Sequence, residues 1–242
     1  MTTASQFRVT ISALIGLAAT EEEMLLASVP DLEPGGPDCW AALPVVAHNA
    51  EFRQQQVIRL QAIGHGQTPP EFAEIDHRSL QTYQRYCAVT APEAVMAARQ
   101  SAGGLIDELR AVSDEDLSDS SRHAWLRGRQ LWLQVVVRGF WHPTGHVGDY
   151  YLAHSQPARC LALHQNALAT ARYLHVPSPA LGMAAYSLAC AQARLGATED
   201  AIQTLKEALA LNLDLRANAQ RDPDLAGLRD SGHLDPLLAP TR

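Results

Sequence analysis

The sequence predicts an all-α protein. Strand signals are scarce, and no long segment alternates apolar with polar residues. Ala, Leu, Gln, Glu and Arg fill extended stretches in which apolar residues recur at steps of three and four. Short segments rich in Pro, Gly and Asp separate those stretches, as turns between helices would.

The elements follow in order. A first helix is expected over residues 5–27, ending at SVPDLEPGGPD, which cannot continue a helix. Asp38 is placed to cap a second helix over residues 39–63. GHGQTPPEF then breaks the chain. A third helical region is expected over residues 79–112, interrupted near Thr90, where Thr90 would cap, Pro92 would sit in the first turn and Glu93 at the third position. SDEDLSDSS reads as a polar turn that caps a fourth helix starting near Ser121. In that helix Trp132, Val135, Gly139, His142, His146, Asp149 and Ala153 share one face. The early half of the face is apolar, so it is expected to point into a core and to carry His142 and His146 inward. Pro143 lacks a backbone donor and crowds the carbonyl of Gly139, which predicts a bend.

The character changes after residue 155. The chain becomes Ala- and Leu-rich, in short paired helical stretches. MAAYSLACAQARLGATEDAIQTLKEALALN resembles a tetratricopeptide repeat, with Leu188, Ala189, Gly196, Ala201 and Ala208 at that repeat's small and apolar positions. The resemblance implies two domains: a helical bundle over residues 1–155 and a tetratricopeptide-like appendage over residues 156–242.

Composition narrows the function classes. The formal charge is −7, from 26 acidic and 19 basic residues, and Lys206 is the lone lysine. Without clustered cations the chain is not expected to bind nucleic acid. No apolar run approaches the ~20 residues of a membrane span. The opening segment lacks a basic start and a small-residue cleavage site, so it reads as a helix and not as a signal peptide. The expectation is a cytoplasmic protein with no membrane partner. Cys39, Cys87, Cys160 and Cys190 are far apart and form no thiolate metal motif.

The ten histidines are the informative residues. His142 and His146, at i and i+4, present two imidazoles on one helix face, and neutral imidazole suits zinc, nickel, iron or copper. A third ligand has to come from another element. Ala41, Val45, His48 and Phe52 form an apolar stripe, which turns His48 inward as the best candidate. Three protein ligands leave room for water or substrate. The competing reading of His142 and His146 is a hydrogen-bonded core pair. Glu51 and Asp149, each about one turn beyond a histidine, could orient an imidazole, act as a base, or simply be solvated. His65, His77, His123, His154, His164, His175 and His233 share no spacing with the triad and are expected in loops or at the surface.

These residues resemble a known pattern. The region from Gly36 to Phe52, with Trp40 eight positions before His48, and the HxxxH of the fourth helix are similar to the DinB/YfiT-like metalloprotein superfamily. Within it the chain looks closest to the ClbS/DfsB branch. The resemblance covers about the first 155 residues and implies a four-helix bundle that binds a divalent metal (zinc, nickel or iron) through His48, His142 and His146. Branches of that superfamily include thiol-dependent transferases and a self-resistance hydrolase. The implied function is therefore a metal-dependent hydrolase or thiol-dependent transferase acting on a small electrophilic substrate, with Glu51 and Asp149 as candidate bases. Members are often dimeric, which makes a homodimer the assembly to test. The alternative is a non-enzymatic scaffold whose repeat-like segment binds a protein. The chain departs from the family in placing Pro143 and Gly145 between its two helix-four histidines.

Overall fold

The structure is a computed structural model that describes residues 4–29, 35–73 and 80–239. Regular structure among these residues is helical, and strand-type pairing among them is limited to a bridge between Gly36 and Cys39. No helix is long and apolar enough to cross a membrane. The chain divides into two compact units between His154 and Ser155.

The first unit begins with α1 (Ala4–Ala27) and α2 (Ala42–Gly64), followed by the short α3 (Leu80–Cys87). Then come α4 (Ala91–Ala111), the single-turn α5 (Asp114–Ser118), α6 (Leu131–Val136), a π-helical turn (Val137–Trp141) and α7 (His142–Ala153). The helix α2 packs on α4 and α7, and α1 packs on α4, α7 and the π turn. The core they enclose holds Leu14, Ile15, Val46, Leu60, Leu105, Leu109, Leu131 and Val135, all buried. Each such side chain contributes roughly 1.5–3 kcal/mol relative to exposure. Small residues let α4 approach closely: Ala94, Ala98, Ser101 and Ala102 are buried at helical spacing. One ion pair lies inside this core. Arg53 donates to both carboxylate oxygens of Glu22, at 3.0 and 2.5 Å, and to the hydroxyl of Ser101 at 3.1 Å.

Several boundaries differ from the sequence expectation for local reasons. The cap of α2 is Ala41, not Asp38, because residues 36–39 close on themselves through the Gly36–Cys39 bridge. Gly35 is confined there: a Cβ would lie 2.6 Å from the Tyr83 hydroxyl and 2.8 Å from the Ala41 nitrogen. The break at Thr90 is present, and the Thr90 N–H and hydroxyl both donate to Glu93, at 2.8 and 2.7 Å. SDEDLSDSS holds a helical turn of its own, α5, whose Ser113 hydroxyl accepts from the Asp116 N–H. The fourth long helix starts at Leu131 and not near Ser121. Residues 124–126 form a 3-10 turn instead, and Arg127 and Gly128 take positive φ, which no helix continues through. Residues 30–34 and 74–79, which include His77 and the expected first residue of the third region, lie outside the described residues.

The irregularity expected at Pro143 takes the form of the π turn. The His142 N–H donates five residues back, to Val137. Pro143 has no N–H to offer the Gly139 carbonyl, and the wider turn places the proline in the first turn of α7, where that loss costs least. Gly139 faces α1 and α4, and a Cβ there would meet Ile15 at 2.7 Å and Leu105 at 2.9 Å. The extra residue in the π turn also rotates the following face. The buried side of α7 runs through Pro143, Thr144, Val147, Tyr150 and Tyr151, while Asp149 is exposed. The inward stripe read from the sequence therefore does not continue to its end.

The second unit contains α8 (Pro157–Tyr173), α9 (Ser178–Arg194), α10 (Thr198–Leu211) and a run of short turns including α11 (Leu215–Ala219), α12 (Ala226–Asp230) and α13 (Asp235–Leu238). The helix α9 packs on both α8 and α10. Leu188, Ala189, Ala201 and Ala208 are buried between them. Gly196 takes φ +76° in the turn from α9 to α10. Gly182 permits the closest approach, since a Cβ there would lie 2.8 Å from Asn212.

Candidate metal centre

Three imidazoles meet where α2 faces α7. His48 is fully buried on α2, and His142 and His146 are half-buried on the first turns of α7. His142 and His146 keep i, i+4 geometry, with ring centroids 4.3 Å apart, despite Pro143 and Gly145 between them. The centroids of His48 lie 5.1 Å from His142 and 4.9 Å from His146. One ring nitrogen from each of the three falls within 4.8 Å of the others.

The protonation of His48 follows from its neighbours. Its Nδ1 lies 3.2 Å from the Tyr86 hydroxyl. That hydroxyl donates its proton to Glu51 at 2.8 Å and accepts from Arg85 at 2.6 Å. Having already given its one hydrogen away, the phenol oxygen can meet His48 only as an acceptor. A proton on His48 Nδ1 faces Tyr86, and Nε2 is turned toward His142. Burial, and then the adjoining Glu51 carboxylate, push the Tyr86 pKa upward, which keeps the phenol neutral. The two Nε2 atoms of His48 and His142 stand 3.0 Å apart. That separation requires either an N–H on one of the two rings or a cation shared between them.

The donor set suits a divalent metal. A tetrahedral zinc with bonds of 2.0–2.1 Å places its nitrogen ligands roughly 3.3 Å from one another. The separations here, 3.0 Å for one pair and under 4.8 Å for all, bracket that spacing. A ligating histidine normally donates its second N–H to an outer partner, and Tyr86 backed by Glu51 fills that place for His48. Aromatic rings wall the cluster: Trp40 meets His48 edge-on at 5.6 Å, and Phe52 stacks on His142 at 4.1 Å.

The other sequence candidates fall as follows. Glu51 does not touch an imidazole directly, because its carboxylate joins Arg85 and Tyr86. Asp149 is exposed. His154 stacks on Tyr150 at 4.1 Å, with its Nε2 3.9 Å from the Cys39 sulfur. One histidine departs from the loop-or-surface expectation: His164 is buried on α8, whereas His123 lies in a loop, buried there with its Nε2 3.0 Å from the Asp116 carbonyl. Tyr86 and Arg85 had no marker in the sequence. Only the packing of α3 against α2 brings them to His48.

In the second unit Cys190, Asp222 and Asp224 also bring ligand-type atoms within 4.8 Å of one another. Here Asp222 caps a 3-10 turn, accepting from the Asp224 N–H, from the Tyr186 hydroxyl at 2.7 Å and from the Cys190 thiol at 3.7 Å. Burial, and then the Asp222 and Asp224 carboxylates, push the Cys190 thiol up, so in the absence of a cation it is a protonated donor to Asp222. In the first unit a cavity of about 640 Å³ is lined by Ile63, Gln67, His123 and Trp125 among others. Ile63 lies fifteen residues after His48 on α2, about 22 Å along the helix, so this cavity is not the pocket of the histidines.

The fold and site thus define an all-helical protein with a candidate three-histidine metal centre. Comparison of the chain with family models, curated proteins and solved structures returns no match.

Proposed function

We propose that the first unit is a four-helix bundle of the DinB/YfiT-like type that binds zinc, nickel or iron through His48, His142 and His146. The observation that carries this reading is the convergence of three imidazoles whose buried member meets Tyr86 through Nδ1 and faces the other two with Nε2. When bound, the cation supplies Lewis acidity. The chain's own residues hold and surround the site: Glu51 and Tyr86 fix His48, while Trp40 and Phe52 shield it from water. Asp149, one turn past His146 and exposed, is the candidate proton acceptor, with Glu51 committed to orientation. The reading is a metal-dependent hydrolase or thiol-dependent transferase for a small electrophile.

Its test is turnover of a panel of small electrophiles by protein loaded with each metal, with and without a low-molecular-weight thiol. Turnover that disappears in His142→Ala supports the reading. Equal turnover by wild type and His142→Ala sinks it.

A scaffold function is the second reading. It is supported by α8, α9 and α10, which stack in sequence with small residues between them, as tetratricopeptide-like helices do. A site closed by four protein ligands, or a protein that takes up no metal, would favour it.

A further inference from the structure

Two arginines of the first unit, one buried and one half-buried, have no carboxylate partner among the described residues. Arg59 on α2 is 8 % exposed, and its Nη1 is enclosed without a hydrogen-bond partner. Its guanidinium lies 4.8 Å from the ring of Phe72 and 5.6 Å from that of Trp125. Arg138, half-buried in the π turn, lies 4.5 Å from the ring of Phe52. No carboxylate among the described residues acts on either one. Burial alone lowers the Arg59 pKa, and burial together with the charge of Arg59 pushes Arg138 down to about 10. Gln56, between Phe52 and Arg59 on the same side of α2, is fully buried with neither amide atom partnered.

The same core shows what a structural arginine looks like in this protein. Arg53 is fully buried, and it is matched by two oxygens of Glu22 and by Ser101. Two neighbouring cations taken out of water without such a match cost stability, and an arriving anion would recover it. Their position gives that anion a context. His48, Phe52, Gln56 and Arg59 run along α2 at steps of four, four and three, and Arg138 precedes His142 by one turn. Phe52 touches both Arg138 and His142.

We propose that Arg59 and Arg138 form an oxyanion subsite in the first unit, holding the carboxylate or phosphate group of a small molecule, with Arg138 one turn before His142 and Arg59 about 16 Å along α2 from His48. The forked guanidinium donors match a planar or tetrahedral oxyanion, and the aromatic walls of Phe52, Phe72 and Trp125 strengthen the attraction by excluding water. This deepens the metal-site reading and rests on it for where the molecule's reactive end lies. The anion affinity itself does not depend on metal.

The experiment is calorimetric titration of the full-length protein with benzoate and with inorganic phosphate, at ionic strength matched with chloride. Saturable binding of at least one anion is expected, and the tighter of the two assigns the group as carboxylate or phosphate. Arg59→Gln and Arg138→Gln should each weaken it about tenfold or more, the loss of a charge-assisted hydrogen bond, with metal content unchanged. If Arg59→Gln fails to fold, Arg138→Gln, at a half-exposed position, still decides. Absence of saturable binding for both anions, or equal binding by wild type and Arg138→Gln, overturns the subsite. Arg138-dependent anion binding in a chain that takes up no metal would leave the subsite standing and remove the metal reading.

Discussion

His48 and Tyr86 are coupled through one hydrogen bond whose direction is fixed: the Tyr86 hydroxyl donates to Glu51 and so accepts from His48 Nδ1, 3.2 Å away. Tyr86→Phe keeps the ring packing and deletes the acceptor. Metal affinity should fall by about 10- to 100-fold, the usual cost of losing an outer partner, with the fold intact by circular dichroism. Unchanged affinity in a metal titration would show that the tautomer of His48 is set by something else.

The ion pair of Glu22 and Arg53, fully buried, gives a stability prediction with two arms. Glu22→Gln alone should destabilise the protein by about 3–5 kcal/mol, because it strands a buried guanidinium. Replacing both residues, as Glu22→Leu with Arg53→Met, should recover most of that loss. Chemical denaturation of the three proteins checks both arms, and a mild single-variant effect would mean that water reaches the pair.

Gly139 is predicted to tolerate no side chain. Gly139→Ala presses a methyl group against Ile15 and Leu105 and should cost about 1–3 kcal/mol. The variant Gly145→Ala, where a Cβ would meet nothing within 4 Å, is the control and should fold as well as wild type.

Helix α4 supplies a pH dependence. Hydrogen bonds from the Thr90 hydroxyl and N–H hold the Glu93 carboxyl below its ordinary value of 4.5. A depressed folded-state value means that the contribution is present above the unfolded value and lost as pH falls through the folded one. The stability difference between wild type and Glu93→Gln should therefore be steady near neutrality and shift against wild type below about pH 4.5. A difference that does not vary with pH would show that the carboxylate charge is irrelevant to the cap.

Much of this architecture was legible beforehand, and the gaps have physical causes. Apolar spacing marked the long helices, and Thr90, Pro92 and Glu93 marked the start of α4 because capping is a local event. The pairing of His142 with His146 needed only the helical repeat. The meeting with His48 needed knowledge of which helices are neighbours, which spacing alone does not contain. The π turn defeated the periodic reading of α7, since one inserted residue turns Asp149 outward. Tyr86, Arg85 and the unmatched Arg59 were invisible for a similar reason: their roles arise from long-range packing, and an arginine on a helix reads as surface until its surroundings are known.

The three-histidine centre is proposed to hold one metal ion through His48, His142 and His146. Metal content of protein purified without a histidine tag, wild type beside His142→Ala and His48→Ala, tests it most directly. About one equivalent per chain is predicted in wild type and little in either variant, each folded by circular dichroism. Equal metal content in all three proteins, or none in wild type after incubation with zinc, nickel and iron, would contradict it.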